Sequence, residues 1–327
     1  MVDDINMPPL DGIQEIRPGR RIFLRRERIS RSNDRPTTAA HHHTRFVQLV
    51  WVHGLLATER QYALVLQALR TKLKEGTSSK QSIVLDCVLY DWLGCGQSPP
   101  PLSKNKSIFS KEETVRDLAA ALEKYVQKDI PTILIGHSYG PSIILSALKE
   151  PAERNLVGMV WISTGLHPDD QSSPTLPPDG GHPIMKLPTI ILSCLQSRLT
   201  EAFIQMAIHP DFTDIQQAVR EDSNQNDMWM AKCYHTLVQF GRFQELQDLP
   251  TTLHRHLVIH GVDDGIIPLQ EGQDLANQLR RRNSNGDDQP RQHDVELVAI
   301  DKASHMVLLE QPQAVADAIW GFLERIL

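Results

Sequence analysis

The sequence predicts an α/β fold, a mostly parallel central sheet with helices on both faces and an inserted helical cap. Three observations predict it. First, short apolar, β-branched runs at Arg45–Val52, 82–90, 131–135 and 156–163 alternate with stretches whose apolar residues recur at helical spacing. Parallel strands need long crossovers, and helical crossovers cover both sheet faces. Second, the rhythm breaks after 163 and resumes only with a strand at 254–260, leaving a helical stretch short of strands between. Third, 327 residues suit one large domain with an insertion, or two small domains.

The elements follow in order. Residues 1–20 read as a flexible N-terminal leader, because 1–16 show no sustained pattern. Ile22, Leu24 and Ile29 stand among arginines and predict an amphipathic strand over 19–29. Eight arginines lie between Arg17 and Arg35. They read either as a contact for an anionic membrane or partner, or as the solvated face of an edge strand, which is the simpler reading. His41, His42 and His43 are adjacent, and neighbours alternate on a strand, so they do not converge on one ion. Thr58 and Gln61 fit a capping box. Tyr62, Val65, Leu66, Leu69 and Leu73 then mark a helix up to Gly76, a C-cap. The strand 82–90 closes at Asp91, and the turn Asp91-Trp92-Leu93-Gly94-Cys95-Gly96-Gln97-Ser98 has a carboxylate able to bind its own backbone. Ser110 and Glu113 suggest a second capping box, before a helix marked by Val115, Leu118, Leu122 and Val126. After the strand 131–135, Pro141 sits in the first turn of a helix over 141–150, where proline is tolerated. Residues 167–182, with Pro168, Pro174, Pro177 and Pro178, read as a linker, and 185–247 as helical. The last elements are a strand at 254–260, a helix at 270–281, a polar loop at 283–293, a strand at Val295–Ile300 and a helix at Pro312–Ile326. The domains expected are a leader (1–20), a core in two parts (21–165 and 251–327) and a cap or lid between them (166–250).

At 40% hydrophobic and 23% charged residues the composition is that of an ordinary globular chain. A net charge of −6 gives no general pull toward nucleic acid, and none is expected as a partner. Cys87, Cys95, Cys194 and Cys233 lack C-x-x-C spacing, which argues against a disulfide framework and a zinc site and for an intracellular, cytoplasmic setting. Asp3, Asp4 and Asp11 make the start unlike a signal peptide. The most apolar stretch, 187–206, is interrupted by Arg198 and Glu201, so membrane contact is expected only at the periphery, through the cap or the arginine-rich N-terminus.

The chemistry centres on Gly136-His137-Ser138-Tyr139-Gly140. A lone G-x-S-x-G arises by chance in roughly one chain in ten of this length, so its place between a strand and a helix carries the argument. In that place it reads as a nucleophile elbow, a tight turn that lifts a serine Oγ above the sheet. Serine needs a base, and the base needs an orienting carboxylate. On such a sheet they follow the serine in the order acid, then histidine, each in a loop at the C-terminal end of a strand. His305, in Asp301-Lys302-Ala303-Ser304-His305-Met306 after the strand Val295–Ile300, fits the base. The loop Gly261-Val262-Asp263-Asp264-Gly265 offers two acids. Asp264 is favoured and Asp263 is the reserve. The loop Ser163-Thr164-Gly165 has no carboxylate. An oxyanion hole needs the N–H after the nucleophile, Tyr139, and one from the loop after an earlier strand. His53-Gly54-Leu55-Leu56 supplies that loop, with Leu55 as the donor. No dinucleotide-type glycine pattern follows a strand, and neither metal nor organic cofactor is required.

Together these residues resemble the α/β-hydrolase superfamily over about residues 22–327. Ser304-His305-Met306-Val307-Leu308-Leu309-Glu310, Ile16-Arg17-Pro18-Gly19-Arg20 and Leu192-Ser193-Cys194-Leu195 are similar to its abhydrolase domain-containing branch. The resemblance implies an α/β-hydrolase fold and a serine esterase or lipase-like enzyme with a lid, among hydrolases of monoacylglycerol and other acyl-lipid esters. Epoxide hydrolases and haloalkane dehalogenases of this fold carry aspartate where Ser138 stands. Relatives linked to lysophospholipid acyl transfer carry His-x4-Asp, which here reads His305 and Glu310, a departure that weakens the acyltransferase alternative. A non-catalytic interaction protein on the same fold is the other rival, since fold alone does not prove activity.

Overall fold

The computed structural model describes residues 10–30, 45–75, 83–149, 154–170, 173, 175–176, 179–284 and 294–326. Residues 1–9 of the expected leader, Arg31, Arg35, the three histidines at 41–43, Gly76, Pro174, Pro177, Pro178 and most of the polar loop 283–293 lie outside the described residues.

Eight strands form one sheet: β1 (Asp11–Arg17), β2 (Arg20–Ser30), β3 (Arg45–Val52), β4 (Ile83–Tyr90), β5 (Thr132–His137), β6 (Leu156–Ile162), β7 (His256–Gly261) and β8 (Val295–Ile300). Their order is β1-β2-β4-β3-β5-β6-β7-β8. β1 and β2 form an antiparallel hairpin, β2 runs antiparallel to β4, and every pairing from β4 to β8 is parallel. The strands β3, β4 and β5 are mostly apolar because both faces are covered, and the polar residues Gln48 and Asp86 within β3 and β4 are buried and hydrogen-bonded to each other. Leu49, Trp51, Ile133 and Ile135 face a cluster built with α1 (Ala63–Glu75) and α9 (Pro312–Ile326). Val50, Val52 and Leu134 face the opposite cluster, built with α2 (Lys111–Tyr125), α3 (Gly140–Ala147) and α7 (Leu269–Ser284).

Residues 11–20, expected in a flexible leader, instead build β1 and the turn into β2. Pro18 and Gly19, with Gly19 at φ +71°, make that turn. The arginines are held by the fold. Arg17 and Arg20 meet Asp117 at 2.9 and 2.7 Å, Arg25 meets Glu59 at 2.9 Å and Arg26 meets Asp86 at 2.7 Å. These four residues fit neither expectation: β2 is an inner strand between β1 and β4, Arg20 and Arg26 are buried, and each guanidinium pairs with a carboxylate of the fold rather than with solvent or a membrane. The Thr58 capping box does not form. A 3-10 turn at Glu59–Tyr62 precedes α1, and the Glu59 N–H donates to Asp91 Oδ1 at 2.7 Å. The Gln61 N–H, which the Thr58 side chain would have capped, turns to the Thr58 carbonyl at 3.3 Å. Ser110 does cap α2, accepting from the Glu113 N–H.

Between β6 and β7 lie a 3-10 turn (Pro183–Lys186), α4 (Thr189–Ala207), α5 (Thr213–Gln225), α6 (Met228–Leu237) and a further 3-10 turn (Phe243–Asp248). α6 packs on the loop after β4, where the Tyr234 hydroxyl donates to the Leu93 carbonyl at 2.9 Å. α8 (Val307–Glu310), one turn long, precedes α9 and is not apparent in the sequence. Among the described residues no helix is long and apolar enough to cross a membrane.

The topology fixes where a site can lie. From β3 the chain moves outward to β4. It then crosses back to β5 on the other side of β3 and continues outward through β6, β7 and β8. In an open parallel sheet, ligands bind beyond the C-terminal ends of strands where the winding reverses. Here that point lies between β3 and β5. The strands end nearly level, with Gly136 beside Val52, His137 beside Ile162 and Gly261 beside Ile300.

Candidate active site

The loop at the end of β5 holds Ser138 in a conformation side chains resist. Its φ is +55°, inside the left-handed region. The flanking residues explain why the turn can form. A Cβ on Gly136 would fall 2.7 Å from the Pro141 ring, and one on Gly140 would collide with the Val52 carbonyl oxygen. Only glycines let α3 start this close to β5 and β3. The Ser138 N–H donates to the Ile162 carbonyl at 2.9 Å, and the Thr164 hydroxyl donates to the Ser138 carbonyl at 2.6 Å. Of residues 136–140, Ser138 is the one that is not fully buried.

The structure brings Ser138, His305 and Asp264 together. Ser138 Oγ lies 2.9 Å from His305 Nε2, and His305 Nδ1 lies 2.9 Å from Asp264 Oδ2. An ionised carboxylate only accepts, so the proton sits on Nδ1 and Nε2 is free to accept from the hydroxyl. Asp264 is itself fixed. Its Oδ1 accepts from the Ile266 N–H at 2.9 Å and the Ile267 N–H at 2.8 Å. Burial works against its ionisation, and the facing imidazoles of His305 and His260 outweigh that, holding its carboxyl well below the usual carboxylate range. Asp263 points away. Its side chain is half exposed and lies 3.8 Å from His209 Nε2.

Two residues support this line that the sequence did not single out for it. His260, at the end of β7, donates from Nε2 to the Ile267 carbonyl at 2.7 Å, and the same nitrogen lies 3.4 Å from Asp264 Oδ2. Thr164 holds the carbonyl of Ser138. Neither has a sequence signal, because each partner is set by the meeting of different strand ends.

The expected oxyanion residues sit where two loops adjoin. Leu55 follows His53 and Gly54 after β3, and Tyr139 opens α3. A Cβ on Gly54 would lie 2.9 Å from Ser138 Cβ, so glycine allows the β3 loop to rest against the serine. His53 is the strut of that loop. Its Nδ1–H donates to the Gly54 carbonyl at 2.8 Å, and its Nε2 accepts from the Trp92 N–H at 3.0 Å. His137 donates from Nε2 to the His305 carbonyl at 3.0 Å, bracing the loop that carries the base. The turn after β4 is organised by Asp91, whose Oδ2 accepts from the Gln97 N–H at 2.8 Å. Cys95 is fully buried there, and burial pushes its thiol up, away from nucleophile character. A concavity of about 520 Å³ lined by Asp169, Asp170, Asp274 and Arg281, among others, contains none of these residues. Among the described residues no group of histidine, cysteine and carboxylate side chains is placed to hold a metal ion.

The buried imidazoles predict a pH dependence of stability. Burial pushes His53 down to about 4, and His137 and His256 down to about 3. The unfolded chain takes up a proton on each near pH 6.5 and the folded chain does not. Their contribution is therefore whole above pH 6.5 and is lost as the pH falls toward 4. Each buried neutral histidine adds a slope of up to about 1.4 kcal/mol per pH unit in that window. Urea midpoints should fall steeply between pH 6.5 and 4.5, and a flat profile there would contradict the neutral, buried assignment.

A model of the alpha/beta hydrolase family matches residues 49–318. Protein ABHD8 of Homo sapiens is 25% identical over 239 residues, 73% of this chain and 48% of that protein. The Bos taurus protein of that name is likewise 25% identical, over 73% of this chain and 49% of its own length. The chain thus spans about half the length of the curated relatives it matches. An esterase of Exiguobacterium antarcticum superposes with a TM-score of 0.65 at 12% identity, covering 96% of this chain and 100% of that one. The enol-lactonase of Burkholderia xenovorans LB400 gives 0.59 at 14%, covering 93% and 97%. A bromoperoxidase of Bacillus anthracis gives 0.64 at 14%, covering 96% and 99%. At these identities the structural likeness is one of fold.

Proposed function

The chain belongs to the alpha/beta hydrolase family, and from that premise we propose that it is a serine hydrolase that cleaves a carboxylic ester through an acyl-enzyme on Ser138. The observation that carries the proposal is the unbroken line of two 2.9 Å hydrogen bonds from Ser138 through His305 to Asp264. It sits where the sheet reverses its winding. His305 Nε2 takes the proton of Ser138 as Oγ attacks the ester carbonyl. The imidazolium that forms is steadied by Asp264 Oδ2, and the oxygen that gains charge is met by the Leu55 and Tyr139 N–H groups. His305 then returns the proton to the departing alcohol. Water, deprotonated by the same nitrogen, releases the acid. No cofactor enters the scheme.

For the substrate we propose an acyl-lipid ester of the monoacylglycerol type. The support is the segment between β6 and β7, proposed as a lid over Ser138. Its helix α4 leaves Ile190, Ile191 and Met206 exposed. The acyltransferase reading loses support from Glu310, whose carboxylate is occupied by the Ser304 and His209 N–H groups.

The test is a fluorophosphonate probe followed by peptide mass spectrometry, with a panel of p-nitrophenyl esters of two to sixteen carbons. The expected adduct is on Ser138, with kcat/KM rising toward medium and long chains. Labelling elsewhere, or none, would count against the hydrolase. A preference for acetate would remove the lipid substrate while leaving the esterase in place.

A further inference from the structure

Helix α4 ends on the two loops that carry the acid and the base. The last carbonyls of a helix lack partners within it and must find them elsewhere. In α4 the Met206 carbonyl accepts from the Gly265 N–H at 3.2 Å and from the Ser304 hydroxyl at 3.0 Å. The Ala207 carbonyl accepts from the Met306 N–H at 3.0 Å. Residues 265, 304 and 306 lie next to Asp264 and on either side of His305. Ile204, Ala207, Ile208 and Met306 form a buried apolar cluster beneath these bonds.

One carboxylate closes the arrangement. Glu310 is buried, at 4% exposure, on the short helix α8. Its Oε2 accepts from the Ser304 N–H at 2.7 Å and its Oε1 from the His209 N–H at 2.5 Å. These N–H groups belong to the residue before His305 and to the chain just beyond α4. A carboxylate with one oxygen on each backbone ties the two segments by charge-assisted bonds, stronger than neutral ones. An aspartate here would be a methylene shorter.

We propose that Glu310 is a positioning residue that locks the C-terminal end of α4 to the His305 loop, so that this end of the helix and the base are held as one body. The lock places the swing point of any lid movement at Met206–His209 and leaves the other end of α4, near Ile190 and Ile191, as the part able to open. The proposal rests on reading His305 as the base, and its test separates the two.

Glu310→Gln keeps the length and one carbonyl oxygen, and Glu310→Ala removes both acceptors. Hydrogen exchange read by mass spectrometry reports the amides of 203–210 and 302–308 in wild type and both variants. Turnover of p-nitrophenyl butyrate and the rate of fluorophosphonate labelling report the base. The lock predicts faster exchange in both segments together. It also predicts a kcat and a labelling rate lowered by roughly tenfold to a hundredfold, with KM within about twofold, since a misplaced base slows chemistry more than binding. Glu310→Gln should keep more activity than Glu310→Ala. If the alanine chain does not fold, the glutamine variant decides alone. Exchange unchanged in either segment, or a raised KM with kcat intact, would overturn the lock. A wild type that neither labels nor turns over would sink the hydrolase reading, and the exchange result would still decide the lock.

Discussion

Ser138→Ala is expected to lower kcat by about six powers of ten on any activated acyl ester, with KM little changed. The oxyanion N–H groups belong to the backbone of Leu55 and Tyr139, and substitution at 138 leaves them in place. The loss should not deepen in Ser138→Ala combined with His305→Ala, because nucleophile and base act as a unit. Ser138→Gly should be equally inactive but should differ in stability. At φ +55° a side chain costs about 1–2 kcal/mol that glycine does not incur. Against this, glycine loses about 0.5–1 kcal/mol more backbone freedom on folding. The glycine variant should therefore exceed the alanine variant by about 0.5–1 kcal/mol, a shift of about 2 °C in Tm for a domain of this size. Calorimetry of the two inactive variants measures the strain at the serine apart from its chemistry. Equal stability would mean that the elbow stores none, and activity retained in Ser138→Ala would remove the nucleophile.

The parallel sheet was legible because its inner strands are buried on both faces and so stand out as predominantly apolar, β-branched runs. Arg45–Val52, Val295–Ile300 and Pro312–Ile326 were read to the residue. β1 was not legible. It lies at the sheet edge with a largely exposed pattern, and only its pairing with β2 makes it a strand. The same non-local dependence hid the anchoring of the 3-10 turn after Thr58, since the acceptor of the Glu59 N–H, Asp91, lies far along the chain. At the site, each loop was legible from its place after a strand. The contacts between loops were not. Glu310 was noticed only as a departure from a motif, and its two N–H partners appear once α4 and the His305 loop are in contact. The sequence named both aspartates and preferred Asp264 without a local reason, and the structure adds one. Asp264 is two and three residues before the Ile266 and Ile267 N–H groups it accepts from, an Asx-type turn set by the sequence itself.

That choice leads to the second large effect. Asp264→Asn should lower kcat by about four powers of ten, and Asp263→Asn by less than about twofold. The side chain at 264 must satisfy Ile266 and Ile267 through one atom and His305 through the other. In asparagine the carbonyl oxygen stays on the two N–H groups, because a turned amide would set donors against donors. Its NH₂ then faces His305 Nδ1, which has to accept. The imidazole proton moves to Nε2 and points at Ser138 Oγ, where it cannot take the serine proton. The geometry survives and the tautomer is wrong. Asp263 makes no such demand, since its carboxylate is half exposed and lies 3.8 Å from His209 Nε2. Steady-state kinetics on p-nitrophenyl butyrate, with fluorophosphonate labelling rates falling in parallel, would check both variants. Their circular dichroism should match wild type, which separates a wrong tautomer from a lost fold. A collapse in Asp263→Asn with Asp264→Asn near wild type would hand the acid's role to Asp263. That result would require the turn at 261–267 to rearrange before catalysis.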